Sequence, residues 1–256
     1  MDHVCGRFAT TRDPDSLAAE FDAVDGTEGL MGGADYNVAP TKHVPAIVAR
    51  HPRDAEGEPD PDSVVRSIRM MRWGLVPMWA KDPSVGSRMI NARVESAAEK
   101  PAFRTAFARR RCLIPADGWY EWQVDGDRKQ PYYVTPQDGS GLALAGIWET
   151  WRSPKAAADE FPMVTFAVLT TDSFGQLADV HHRMPIMLPR HAWAGWLDPD
   201  STDPTALVAE PDPELHAGLE LRPVTTKVNS VRNNGSELLR RFVPEEPAEQ
   251  ALFELP

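Results

Sequence analysis

Residues 118–135 decide the fold: Gly118-Trp-Tyr-Glu-Trp-Gln-Val-Asp-Gly-Asp-Arg-Lys-Gln-Pro-Tyr-Tyr-Val-Thr135. Aromatic and β-branched residues gather on both sides of Asp125-Gly-Asp, a turn signal that folds two extended runs back on each other as a hairpin. Working outward, segments of the same kind recur. Cys112-Leu-Ile-Pro precedes the hairpin, and Leu142–Trp148 and Met163–Thr170 follow it. Val44–Ala49 and Val64–Trp73 lie further upstream, the latter mixing apolar and basic residues in near alternation, as a strand with one wet face does. Asp35 to Thr41 reads as a polar turn, 51–63 as a loop, and Leu221 to Val228 as extended chain. Trp73 to Trp79 is too broken by proline and tryptophan for a helix.

Helical signals are fewer. Asp13-Pro-Asp-Ser caps an apolar spacing that predicts a helix from about 14 to 23. Further short helices are predicted at about 101–109, 191–197 and 237–242. Many strands and few helices, with neither βαβ alternation nor an internal repeat, define one α+β domain around a curved, largely antiparallel sheet.

The chain of 256 residues is 42% hydrophobic and can bury a full core. It contains no run of about 18 apolar residues, so no membrane span is expected, and its N-terminus lacks a secretory pattern. Two cysteines in all cannot form a disulfide framework, so a cytoplasmic protein is expected. With no Cys-x-x-Cys or His-x-x-x-His cluster, neither a metal nor a cofactor is expected. The formal charge of −11 speaks against a nucleic-acid partner until its distribution is read. Segments 51–63, 198–220 and 243–256 together hold 16 of the 38 acids and one of the 27 bases. The remaining body is basic, and a basic body with acidic fringes can hold a phosphate backbone.

Four clusters can carry chemistry. Cys5 sits at the extreme N-terminus, an odd place for a packing thiol. As the first residue of a mature chain it would carry an amine and a thiol two carbons apart, a pair that captures aldehydes. Otherwise it is an ordinary terminal thiol, and Cys112 reads as a small buried apolar residue. In Asp179-Val-His-His-Arg-Met-Pro, alternation places His181 and Arg183 on one face, an acid–base group beside a phosphate fork. In the hairpin, Glu121 shares a face with Trp119, where desolvation would raise its pKa and suit it to proton transfer. In Ile90-Asn-Ala-Arg, Asn91 and Arg93 share a face, and Trp73, Leu75 and Trp79 offer either base-stacking surface or plain core.

These stretches resemble one family. Cys5-Gly-Arg-Phe, Tyr36-Asn-Val-Ala-Pro-Thr, Arg72-Trp-Gly-Leu-Val-Pro, Ile90-Asn-Ala-Arg, Cys112-Leu-Ile-Pro-Ala-Asp-Gly-Trp-Tyr-Glu-Trp, His181-His-Arg-Met-Pro and Val228-Asn-Ser are similar to the SRAP (SOS response-associated peptidase) family. The resemblance runs from about 5 to 242, leaving 1–4 as extra residues and 243–256 as an acidic tail. It implies a barrel-like sheet with a few peripheral helices. It also implies single-stranded DNA as partner, with abasic sites trapped covalently as a thiazolidine on the amine and thiol of Cys5. By position, Asn91, Glu121 and His181 are implied partners of Cys5 in the active site. Arg7, Asn37, Pro40, Trp73, Leu75, Arg93 and Arg183 fall on motifs implied to line the DNA groove. The alternatives are a cysteine peptidase acting on other proteins and a non-catalytic single-strand-binding module.

One departure from the family pattern bears on the chemistry. The family reads Met-Cys-Gly-Arg, whereas here Met1–Val4 precede Cys5, and no free amine exists while Val4 is attached. Two explanations are self-cleavage of a propeptide and a start at Val4, encoded by GTG and read as Met. The Ala-, Arg-, Asp- and Pro-rich composition fits the GC-rich gene that the second requires. Glu249-Gln-Ala-Leu-Phe resembles a sliding-clamp peptide but lacks its leading Gln, so no clamp contact is expected, and the protein is expected to be a monomer.

Overall fold

A computed structural model describes residues 5–126, 128–157 and 159–243. The first strands are β1 (Phe8–Thr10), β2 (Val24–Asp25), β3 (Asp35–Val38), β4 (His43–Arg50) and β5 (Val65–Trp73). Next come β6 (Asn91–Arg93), β7 (Arg111–Ala116), β8 (Gly118–Asp125), β9 (Arg128–Pro136) and β10 (Leu142–Trp151). The last are β11 (Met163–Asp172), β12 (Arg183–Pro185) and β13 (Leu219–Pro223). Five short α-helices decorate them: α1 (Pro14–Phe21), α2 (Val94–Ala97), α3 (Arg104–Arg109), α4 (Trp193–Leu197) and α5 (Pro213–Ala217).

The strands form two sheets. The hairpin at 118–135 lies in the smaller one, ordered β13-β9-β8-β1-β3, with Trp119 opposite Val134 and Glu121 opposite Tyr132. The larger sheet runs β12-β11-β10-β7-β4-β5-β2, with β6 in parallel on β11. Its path doubles back: Thr165 and Phe166 of β11 pair in parallel with Arg72 and Trp73 of β5. This closes β5-β4-β7-β10-β11 into a ring, so the sheet is curled and mostly antiparallel in one sheet-dominated α+β domain.

Alternation sorts the core into layers. Ala46, Met71, Trp73, Ile114, Trp148 and Phe166 point into the curl, where Phe8, Trp119 and Val134 of the smaller sheet meet them. Ile47, Ile68, Leu113 and Ala145 point outward under α1, α3 and α4. Tyr120 and Tyr133 face Val224, Val228 and Leu238 of the C-terminal segment. Burying one such large side chain contributes about 1.5–3 kcal/mol. In α1, Asp13 accepts the Ser16 N–H at 2.8 Å, Pro14 opens the helix, and Leu17 and Phe21 form its buried stripe.

Several local expectations are corrected. β5 has no wet face, because Ile68 and Met71, on opposite faces, are both buried by separate cores. Asp35–Val38 is a strand rather than a turn. The extended segment stops at Pro223, and Thr226–Asn229 and Ser236–Leu239 are 3-10 turns. The predicted helix at 101–109 begins at Arg104, and Arg111, which opens β7, is buried. Its guanidinium donates to the carbonyls of Trp196 at 2.6 Å, Asp198 at 2.5 Å and Ser201 at 2.9 Å, tying α4 to the end of α3. Residues 1–4 and 244–256, where the extra N-terminal residues and most of the acidic tail fall, lie outside the described residues. Among the described residues, no helix is long and apolar enough to cross a membrane.

Candidate active site

An open cleft of about 520 Å³ lies where the two sheets diverge, lined among others by Arg7, Pro40, Ile90, Glu121, Trp122 and His181. Its walls are fixed by backbone. Thr41 holds φ +75°, a left-handed conformation that β-branched residues rarely take. Its N–H donates to the Trp73 carbonyl at 2.9 Å, which pins the Pro40 turn to the core. Gly74 has φ +114° and lies against Gly86, whose carbonyl oxygen is 2.5 Å from where a Cβ on Gly74 would stand. That close approach sets the 74–90 loop. The Trp73 indole then donates to the Ile90 carbonyl at 2.9 Å, which places Ile90 on the cleft wall and starts β6 at Asn91.

Cys5 lies fully buried beside the cleft, and its backbone N–H donates to Glu121 Oε1 at 2.6 Å. Glu121 is 3% exposed, on the inner face of β8 with Trp119. Desolvation raises its pKa from 4.5 to about 8, against the opposing pull of the Cys5 N–H and the Trp119 indole. The carboxyl is therefore mostly protonated at neutral pH, able to donate as well as accept. Burial, with the Glu121 charge adding to it, pushes the Cys5 thiol well above its ordinary value, so the sulfur is held as a thiol.

His181 follows a 3-10 turn over Gly175–Asp179. Its Nδ1 lies 3.0 Å from the Arg183 backbone nitrogen and 3.2 Å from the Arg183 carbonyl oxygen, so the turn holds this edge of the ring and leaves Nε2 outside these contacts. The His181 and His182 rings stack at 4.4 Å and both line the cleft. Strict alternation, which would turn one of them away, fails because the pair precedes β12 instead of lying within it. Asn91 opens β6 opposite Val168 of β11, half-buried behind Ile90.

The residues assigned to the groove divide. Arg7 and Pro40 line the cleft, and Arg93 is exposed at the end of β6. Four others are turned inward. Trp73 and Leu75 are fully buried in two different cores. Asn37 accepts from Arg7 Nη1 at 2.7 Å and donates to Ser230 and Asn233 carbonyls at 3.0 and 2.8 Å, clamping the C-terminal segment. Arg183 does not share a face with His181. Its guanidinium is spent on Glu95 at 2.8 Å, Asp172 at 2.6 Å and the Thr170 carbonyl at 2.6 Å. Trp79 remains 67% exposed and available for stacking. Missed from the sequence were Trp122 and Lys129, which line the cleft. The hairpin register held the signal, since it sets Lys129 opposite Val124 on the strand that carries Glu121. Among the described residues, no group of three or more His, Cys, Asp or Glu side chains is placed to hold a metal.

The chain belongs to the SOS response associated peptidase (SRAP) family, whose sequence signature matches residues 4–231. It is 33% identical over 237 residues to abasic site processing protein YoqW of Bacillus subtilis, covering 92% of this chain and 99% of that one. Abasic site processing protein HMCES of Gallus gallus is 30% identical over 230 residues, covering 80% of this chain and 65% of the relative. A Bacteroides thetaiotaomicron protein of known crystal structure shares the fold, with a TM-score of 0.76 at 23% identity over 93% of this chain and 100% of that one.

Proposed function

We propose that this chain processes abasic sites in single-stranded DNA by trapping the ring-opened sugar covalently on Cys5. The observation that carries the reading is the Cys5 nitrogen 2.6 Å from a buried carboxyl whose pKa is about 8, beside an open cleft. The names of the related abasic site processing proteins support the substrate.

The chemistry needs the Cys5 nitrogen as a free amine. An abasic sugar interconverts between a closed hemiacetal and an open aldehyde. His181 donates a ring proton toward the sugar ring oxygen to favour opening. The amine attacks C1′ to give a carbinolamine, and Glu121 protonates the departing hydroxyl, so that water leaves and an imine forms. The Cys5 thiol then adds across the C=N bond: sulfur bonds to C1′ and the thiol proton goes to nitrogen. The five-membered thiazolidine forms with the net loss of one water. A raised thiol pKa suits this order, because the amine is left to attack first. Asn91 orients the sugar or the amine, and Arg7 and Lys129 hold phosphates along the cleft.

The family match begins at residue 4, directly before Cys5, which supports reading Val4 as the family's first position and Met1–Val4 as absent from the reactive form. The test compares chains beginning at Met1 and at Cys5 on abasic DNA in a denaturing gel, with intact mass of the adduct. The Cys5-first chain gives a shifted band at the combined mass less one water, and the Met1 chain gives none. Wild-type crosslinking by a Cys5-first chain carrying Cys5→Ser, or by a Met1 chain shown by mass to be intact, overturns the reading.

A further inference from the structure

A second cationic feature lies at the Arg50 end of β4, away from the Pro40 turn that lines the cleft. Arg50 is opposite Val65 in the β4–β5 ladder, and Ala46 is opposite Arg69, so Arg50 and Arg69 share the inward-facing row of side chains. Where that row reaches the open end of the curl, Trp148 closes the core. The Arg50 guanidinium carbon lies 4.3 Å from the Trp148 ring centroid, and that of Arg110 lies 6.0 Å from it. Arg110 meets Glu149 at 3.1 Å. Arg69 donates weakly to Ser67 Oγ at 3.3 Å and the Gly26 carbonyl at 3.5 Å, both neutral. Three guanidinium groups thus face one carboxylate.

None of the acids of the neighbouring 51–63 loop is among the charges that act on Arg50. His51 points to the other face, where Nε2 meets Asp200 at 3.1 Å and Nδ1 meets the Ser63 carbonyl at 2.8 Å. Asp54 and Asp60 accept N–H groups of their own turns, from Glu58 at 2.8 Å and Asp62 at 3.1 Å. After burial, the charges acting on Arg50 are those of Arg69, Arg110 and Arg53, and they hold its pKa below the ordinary value. Cations assembled against their own repulsion, on a ring that fixes two of them, are built to meet an anion.

We propose that Arg50, Arg69 and Arg110 form a second binding site for the phosphodiester backbone of nucleic acid, at the end of β4 away from the cleft. This inference extends the reading of the cleft as a DNA site and rests on it for the length of strand required. His43 pairs with Arg72 next to Trp73, and Arg50 lies seven residues further along β4, about 23 Å at 3.3 Å per residue. A strand seated in the cleft must span about that distance to reach the patch. Guanidinium forks match successive phosphates bidentately and read no sequence.

The experiment measures equilibrium binding of undamaged single strands of about 30 nucleotides across a salt series, where each phosphate contact contributes about 0.7 to the logarithmic slope. The double variant Arg50→Gln/Arg69→Gln is compared with wild type and with Arg50→Lys/Arg69→Lys. For the long strand, the Gln variant loses about 1.4 of slope, and the Lys variant keeps the wild-type slope. Equal slopes for wild type and the Gln variant on the long strand overturn the proposal. So does binding of poly-glutamate that the Gln variant abolishes while long-strand binding is unchanged. Crosslinking of a short abasic strand by the same three proteins beginning at Cys5 reports separately on the cleft. If it is absent in every protein while the slope difference persists, the Cys5 chemistry fails and the backbone site stands.

Discussion

Replacing Glu121 with Gln gives the most direct access to the physics of the cleft. The side chain is 3% exposed and its pKa rises from 4.5 to about 8, chiefly by desolvation. In the unfolded chain the carboxyl ionises near 4.5, whereas in the fold it keeps its proton to about 8. Between those values the native state binds one proton more than the unfolded state. Stability therefore falls as pH rises, by about 1.4 kcal/mol per unit, and levels off above about 8. Across the window this accumulates to on the order of 5 kcal/mol, comparable with the whole stability of a marginal domain. Gln keeps an oxygen to accept the Cys5 N–H but carries no charge, so Glu121→Gln lacks this slope. Urea midpoints of the Met1 chain and its Gln variant between pH 5 and pH 9 test the sign and the size. The stability difference should widen with pH in favour of Gln and then become constant. A difference independent of pH would refute the assignment of a desolvated carboxyl. In a chain beginning at Cys5, the new ammonium stabilises the carboxylate and the slope should shrink.

Two further predictions concern the frame around the cleft. Arg183→Ala should destabilise by about 2 kcal/mol in urea unfolding, a moderate value because Glu95 and Asp172, at 47% and 84% exposure, return to water when the arginine is gone; a change within ±0.5 kcal/mol would refute the clamp. Gly74→Ala meets the Gly86 carbonyl at 2.5 Å with φ at +114° and should cost on the order of 3 kcal/mol, read as a lower thermal midpoint, whereas a neutral effect would mean that the 74–90 loop is not set there.

What the sequence disclosed and what it hid follow the range of the interactions. The hairpin at 118–135 is legible because the turn and its aromatic flanks are local, and the inward turn of Glu121 follows from the same alternation. Closure of the sheet is not legible. Phe166 finds Trp73 across more than ninety residues, and no periodic pattern announces a partner that distant. Polar residues misled for the same reason. Asn37, Arg111 and Arg183 look like surface groups until the carbonyls that receive them are known, and Asn37 bonds to residues as far as 196 positions away. The tryptophans misled in the opposite sense. Trp73 is spent on the core, while Trp79, six residues later, stands in solvent.

The bond between the Cys5 nitrogen and Glu121 spans 116 residues, and that separation is also an interval of time. During synthesis at roughly 5–20 residues per second, Glu121 follows Cys5 by roughly 6–23 s, and His181 later still. For that interval the first residues have neither the carboxyl nor the hairpin that carries it, and β1 has no β8 to pair with. Whatever reactivity Cys5 acquires in the folded protein is thus withheld from the nascent chain and granted only when the hairpin has closed over it.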